Sequence, residues 1–165
     1  MSETEATYGR QRTLRIGEHF TLPLDVVTQT IGVLAKRRAG KSYLAMKLVE
    51  QLWHARQQVV VLDPKGDSWG LRTSADGKHD GIPIVILGGE HGDVKLEPSA
   101  GEVVGRMIVE EHVSAVLDLS EFRKREVATF CAIFLETLYR LKARDGHRTA
   151  MMLVIDEADA IAPQR

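Results

Sequence analysis

Ala35-Lys36-Arg37-Arg38-Ala39-Gly40-Lys41-Ser42 is the stretch on which the reading of this chain turns. It follows the apolar run Thr30-Ile31-Gly32-Val33-Leu34 and precedes Leu44, Leu48 and Leu52, spaced four apart with Val49 and Trp53 beside them. That spacing predicts an amphipathic helix from about Lys41 to Gln57. A buried strand over Thr30–Ala35, a loop and a helix are the context of a phosphate-binding loop of pattern G-x-x-x-x-G-K-[ST]. Ala35 stands in place of the first glycine, which is tolerable if its backbone stays in an ordinary region. Backbone N–H groups at the helix start would wrap phosphates, with Tyr43 just behind them. Gly40 would let the main chain approach closely, Lys41 would reach the β- and γ-phosphates, and the Ser42 hydroxyl would join a Mg²⁺ shell. Lys36, Arg37 and Arg38 suit a solvated loop first, and otherwise nucleotide phosphates, a neighbouring subunit or DNA.

Outward from this stretch, apolar runs recur between helical patterns. Val59–Asp63, Ile84–Leu87, Val113–Leu119 and Met151–Asp156 lack polar alternation, as strands buried on both faces do. Ser99 and Glu102 read as a capping box for a helix with Val103 and Met107 facing inward. Val127, Phe130, Cys131, Phe134, Leu135, Leu138 and Leu141 mark a third helix, with Ser120 as its N-cap and Asp145-Gly146 ending it. Strands alternating with helices predict an α/β three-layer fold around a parallel sheet. Lys65 to Pro83 reads as a loop.

The last strand ends in Asp156-Glu157, the pattern of a Walker B segment. Carboxylates at the C-terminal edge of a parallel strand face the ligand crevice. Asp156 would hold Mg²⁺, and Glu157 would orient or deprotonate the attacking water. Asp63 and Asp118 end their strands at the same edge, where each is as well suited to metal-bound water as to a turn.

The phosphate loop, the segment Val61-Leu62-Asp63-Pro64-Lys65-Gly66-Asp67, Ala115-Val116-Leu117-Asp118-Leu119-Ser120 and the closing Asp156 to Arg165 together resemble the HerA/FtsK ATPase superfamily, most closely the HerA-helicase central-domain type. The resemblance runs from about Leu22 to Arg165. It implies a RecA-like core that binds ATP and Mg²⁺, usually in a hexameric ring of identical subunits, and couples hydrolysis to movement of DNA, with a nuclease as a possible partner. Arg38-Ala39 replaces the usual Gly-Ser of such loops. The resemblance also implies further strands after Walker B, carrying sensor and arginine-finger residues. On that reading 13–165 is the N-terminal part of a longer phosphate-loop domain, behind a loose arm over 1–12, and is incomplete at its C-terminal end. The loop strand would then expose an edge, and the isolated chain would bind nucleotide weakly and hydrolyse almost none. A secretion or conjugation motor of the same superfamily, and a regulatory nucleotide-binding module without motor activity, are the alternatives. Glu157 speaks against the second, because a pure binding module needs no water-polarising acid.

Composition narrows the field further. At 165 residues, 44% apolar and 27% charged, the chain suits one globular domain. A net charge of −1 excludes a strongly basic, histone-like binder. One cysteine excludes a disulfide framework. No apolar run approaches a membrane span of about 20 residues, and the polar start lacks a signal-peptide core, so a cytoplasmic location is expected. No Asn-Lys-x-Asp guanine-reading sequence occurs. From Glu121 to Arg148, seven basic residues face four acidic ones, which suits a nucleic-acid backbone or a solvated helix face. Trp69 suits stacking on a base, or simple anchorage of its loop. The six histidines lack ligand spacing, and Cys131 lies on an apolar stripe.

Overall fold

A computed structural model describes residues 13–36, 39–74 and 77–161. The arm over 1–12, loop residues Arg37 and Arg38, and Ala162 to Arg165 lie outside the described residues. Four strands form a parallel sheet: β3 (Gln58–Asp63), β4 (Val85–Leu87), β5 (Ala115–Asp118) and β6 (Met151–Ile155), in the order β4-β5-β3-β6. Asp63 pairs with Asp118 across β3 and β5, and Leu62 with Ile155 across β3 and β6. The C-terminal ends of these three strands therefore meet at one edge. Before them, β1 (Thr13–Arg15) and β2 (Thr21–Pro23) make an antiparallel ribbon that short-range patterning did not disclose.

Side chains on β3 alternate between two apolar layers because successive residues point to opposite faces. Val59 and Val61 meet Val49 and Leu52 of helix α1 (Lys41–His54), together with Leu14 and Ile16 from the ribbon end. Val60 and Leu62 meet α2 (Gly101–Glu110) and α3 (Lys124–Lys142) through Ile108, Phe130, Phe134 and Leu138. Both faces are covered, which is why β3 and β5 have no polar face. A short helix, α4 (Ala158–Ile161), follows β6. The three-layer α/β expectation is met, and the third helix buries the expected stripe, with Leu135 only partly covered.

Four local expectations are corrected. Thr30–Ala35 is not a strand. Ile31 is 43% and Leu34 97% exposed. β-propensity alone does not hold a strand without a neighbour to pair with, and this segment pairs with neither end strand of the sheet, β4 or β6. Helix α1 stops at His54, three residues early, because Arg56 takes a left-handed backbone (φ 59°) and Gln57 N–H turns back to the Leu52 carbonyl at 2.9 Å.

Helix α2 presents a different face from the one expected. Its N-cap is Ala100, without a side-chain cap bond, and Val103 is 70% exposed while Val104 and Ile108 are buried. Gly101 and Gly105 set this phase: a Cβ at Gly101 would lie 2.9 Å from the Phe130 carbonyl, and one at Gly105 2.9 Å from the Thr137 side chain. The glycine face must meet α3, which rotates Val103 outward. Helix α3 is capped from Arg123, not Ser120. The Arg123 N–H donates to Glu126 Oε2 at 2.7 Å, while Ser120 bonds to Asp118.

Candidate functional site

The first turn of α1 opens a cleft of about 1060 Å³, lined by Ala35, Lys36, Gly40, Lys41, Ser42, Tyr43, Lys65 and Glu157. Gly40 caps the helix with φ 88°, a left-handed conformation that disfavours a side chain. A Cβ on Gly40 would meet no protein atom within 4 Å. Backbone conformation, not crowding by the protein, therefore accounts for the glycine. Ala35 is not among the left-handed residues, which outside glycine are Arg56, His112 and Glu157 among those described. Its replacement of a glycine thus carries no backbone strain. Lys36 and Ala39 are exposed and joined by an Ala39 N–H bond to the Lys36 carbonyl at 3.2 Å. Tyr43 faces outward.

Opposite the loop, β6 delivers the two acids. The Asp156 N–H donates to the Leu62 carbonyl at 3.2 Å, extending the ladder one residue past the strand and burying the Asp156 side chain. Glu157 then departs with φ 50°, a conformation costing a non-glycine residue about 1–2 kcal/mol. Its N–H donates to Asp156 Oδ1 at 3.0 Å. Lys41 Nζ lies 3.3 Å from Asp156 Oδ1 and 3.4 Å from Glu157 Oε1. Residues more than a hundred positions apart, selected from the sequence independently, thus share one ionic cluster.

Lys65 completes that cluster, and sequence reasoning gave it no role. Its ammonium is hydrogen-bonded to Glu157 Oε1. The only sequence signal was its place in the Asp63–Asp67 segment. Electrostatics follow from the geometry. Lys65 first, then Lys41, holds the Glu157 carboxyl below its usual range. Glu157 in turn raises Lys65. Burial works against the Lys41 ammonium, but Asp156 and Glu157 outweigh it and hold its pKa above the ordinary lysine value.

Asp63 and Asp118 are occupied elsewhere. Buried Asp63 accepts three backbone N–H bonds, from Lys65 (3.0 Å) and Gly66 (2.9 Å) on Oδ1 and from Ser68 (2.7 Å) on Oδ2. Asp118 Oδ1 accepts from Ser120 N–H at 2.9 Å and Ser120 Oγ at 2.6 Å. Its carboxylate presses so closely on Gly89 that any Cβ there would collide. Both act as turn residues. Replacing Asp63 with alanine would strand buried donors, so Asp63→Ala should lower unfolding free energy by about 1–3 kcal/mol. Chemical denaturation would show this, and an unchanged midpoint would mean that the loop recovers its bonds from water.

The basic stretch is not one patch. Nineteen residues of α3, about 28 Å at 1.5 Å per residue, separate its ends. Arg123, Lys124 and Arg125 are exposed at the sheet edge that carries Asp156, whereas Arg140 lies 3.7 Å from Glu102 and Arg148 3.7 Å from Asp145. Trp69 is half-exposed and packs against His91 in a tilted ring contact, with ring centroids 4.3 Å apart. Cys131 is buried, and desolvation pushes its thiol up to about 11.

The donor set suits a hard cation. Ser42 and Asp156 offer oxygen ligands, which fit Mg²⁺, an ion that takes one or two carboxylates and otherwise water and phosphate. Among the described residues no cluster of three or more His, Cys, Asp or Glu is arranged to hold a metal, so the remaining ligands would come from nucleotide and water. Among the same residues no helix is long and apolar enough to cross a membrane.

No curated protein and no solved structure matches the chain. Residues 13–142 match the family described as "Helicase HerA, central domain". That span takes in Ala35 to Ser42, Lys65 and most of the sheet, and it stops before Asp156. It covers more than three quarters of the sequence, and the chain therefore belongs to the HerA central-domain family of ATPase-type nucleotide-binding domains.

Proposed function

We propose that this domain binds ATP with Mg²⁺ and hydrolyses it to move or unwind DNA, working as one subunit of a homo-oligomeric, hexameric ring with a nuclease as a possible partner. The observation that carries this reading is the convergence of Lys41, Asp156 and Glu157 at the mouth of one cleft. Lys41 neutralises the β- and γ-phosphates. Its ammonium already sits against two carboxylates, so it must exchange them for phosphate oxygens. The backbone amides from Gly40 to Tyr43 hold the phosphates at the helix start. Ser42 and Asp156 hold Mg²⁺, which when bound supplies positive charge to the terminal phosphate. Glu157 takes the proton of the attacking water as the bond between the terminal phosphorus and the bridging oxygen breaks. Charge fixed in advance provides most of the acceleration in such sites.

DNA is supported by family membership and by the exposed Arg123-Lys124-Arg125 cluster. Phosphate release by the full-length protein, measured with and without DNA, tests the reading. Turnover should rise with DNA, and DNA affinity should fall steeply with salt as counterions are released. Changing Arg123, Lys124 and Arg125 to glutamate should weaken DNA binding and spare ATP binding. Hydrolysis that ignores DNA would favour a motor that moves protein.

A further inference from the structure

Among the described residues lining the cleft, the lysines are Lys36, Lys41 and Lys65. Lys36 and Lys41 belong to the phosphate loop; Lys65 arrives from the far side, two residues past the end of β3. Its backbone has little freedom. Asp63 Oδ1 accepts the Lys65 and Gly66 N–H groups, and Asp63 Oδ2 accepts that of Ser68, so a buried carboxylate fixes the turn. β3 lies directly beside β6, and the turn therefore delivers the ammonium to Glu157. The pair is solvent-facing, with side-chain exposures of 46% and 29%. Ion pairs so exposed contribute little to stability. A buried scaffold that aims a half-exposed lysine at a half-exposed acid is therefore poorly explained by folding.

We infer that Lys65 is a positioning residue that reads the third phosphate of a bound nucleoside triphosphate. A terminal phosphate carries about two negative charges against one for a carboxylate, and it competes with Glu157 for the same ammonium. A diphosphate, one phosphate shorter, leaves Lys65 on Glu157. A triphosphate draws Lys65 away, so the carboxylate is released toward water only when there is a bond to cleave. Lys65 thereby links the length of the phosphate chain to the availability of Glu157. This inference rests on the ATPase reading above and adds to it a residue and an order of events.

The test is equilibrium binding, with Mg²⁺, of ADP and of a non-hydrolysable imido analogue of ATP to the full chain, to Lys65→Met, Lys65→Arg and Glu157→Gln, and to the Lys65→Met/Glu157→Gln double variant. Lys65→Met should weaken the analogue roughly tenfold, the low end for a hydrogen bond to a charged group, and change ADP by no more than about twofold. Unchanged ADP binding also shows that the variant folds. Lys65→Arg, which keeps the charge, should restore the preference for the analogue. Glu157→Gln should tighten the analogue in the wild-type background, because it loosens the grip on Lys65, and should not do so beside Lys65→Met; that non-additivity is the signature of coupling. Equal weakening of ADP and analogue, or additive effects of the two substitutions, would overturn the inference and leave the ATPase reading standing. A wild-type chain that binds neither nucleotide would overturn both.

Discussion

Replacing Lys41 with alanine should reduce affinity for ATP by roughly a hundredfold or more. A hydrogen bond to a charged group contributes about 1.5–3 kcal/mol, and this ammonium is assigned to two phosphates. The loss has a second source in the structure. Lys41 is the cation shared by Asp156 and Glu157, at 3.3 and 3.4 Å. Without it, two carboxylates face the cleft with only Lys65 against them, and their charge repels an incoming phosphate. Lys41→Arg should not rescue binding, because a planar fork does not replace a compact ammonium in a close cluster. Titration with a fluorescent ATP analogue measures the change. Wild-type affinity in Lys41→Ala would place the nucleotide elsewhere.

Glu157→Gln should leave ATP bound and slow its turnover by about 10²–10⁴-fold, the usual value of a positioned general base. Glutamine keeps the length and the left-handed backbone cost of residue 157, and its amide oxygen still accepts from Lys65 and Lys41. It cannot take up the proton of water. The full-length variant should therefore retain nucleotide through a spin column while releasing almost no phosphate. Equal turnover by Glu157→Gln and wild type would remove the role assigned to this residue.

These two residues were selected by type and spacing alone, and the reason is physical. A Gly-Lys-Ser at a helix start and an acid pair after an apolar strand are local patterns, and their chemistry fixes which edge of a sheet they occupy. Strands β3 and β5 were legible for a similar reason: an apolar run without alternation hides between two layers, while β4 and β6 carry the same pattern with Val85 and Ile155 left partly exposed. What the sequence concealed depends on contacts distant along the chain. Lys65 meets Glu157 across 92 positions, and nothing within Asp63–Asp67 says which neighbour its loop will face. Thr30–Ala35 has the composition of a strand, but a strand is made by its partner. Val103 has the right spacing to be buried, yet the contact of Gly101 and Gly105 with α3 turns it to solvent. For Asp63 and Asp118 the sequence left a turn and metal-bound water equally open, and only the bonds inside their own turns decide for the turn.

Helix α1 offers Lys41 and Ser42 from its first turn, yet of its fourteen residues only Val49 and Leu52 are buried, against seven of nineteen in α3. The layer to which we assign the nucleotide is thus the one with fewer buried residues, and such layers open at lower free energy than the rest of a domain. Only the fraction of molecules with α1 docked is competent to bind, and the apparent dissociation constant is the intrinsic one divided by that fraction. Nucleotide affinity is in this sense partly a property of the underside of α1. Val49 and Leu52, which touch no phosphate, set the population on which every contact in the cleft depends.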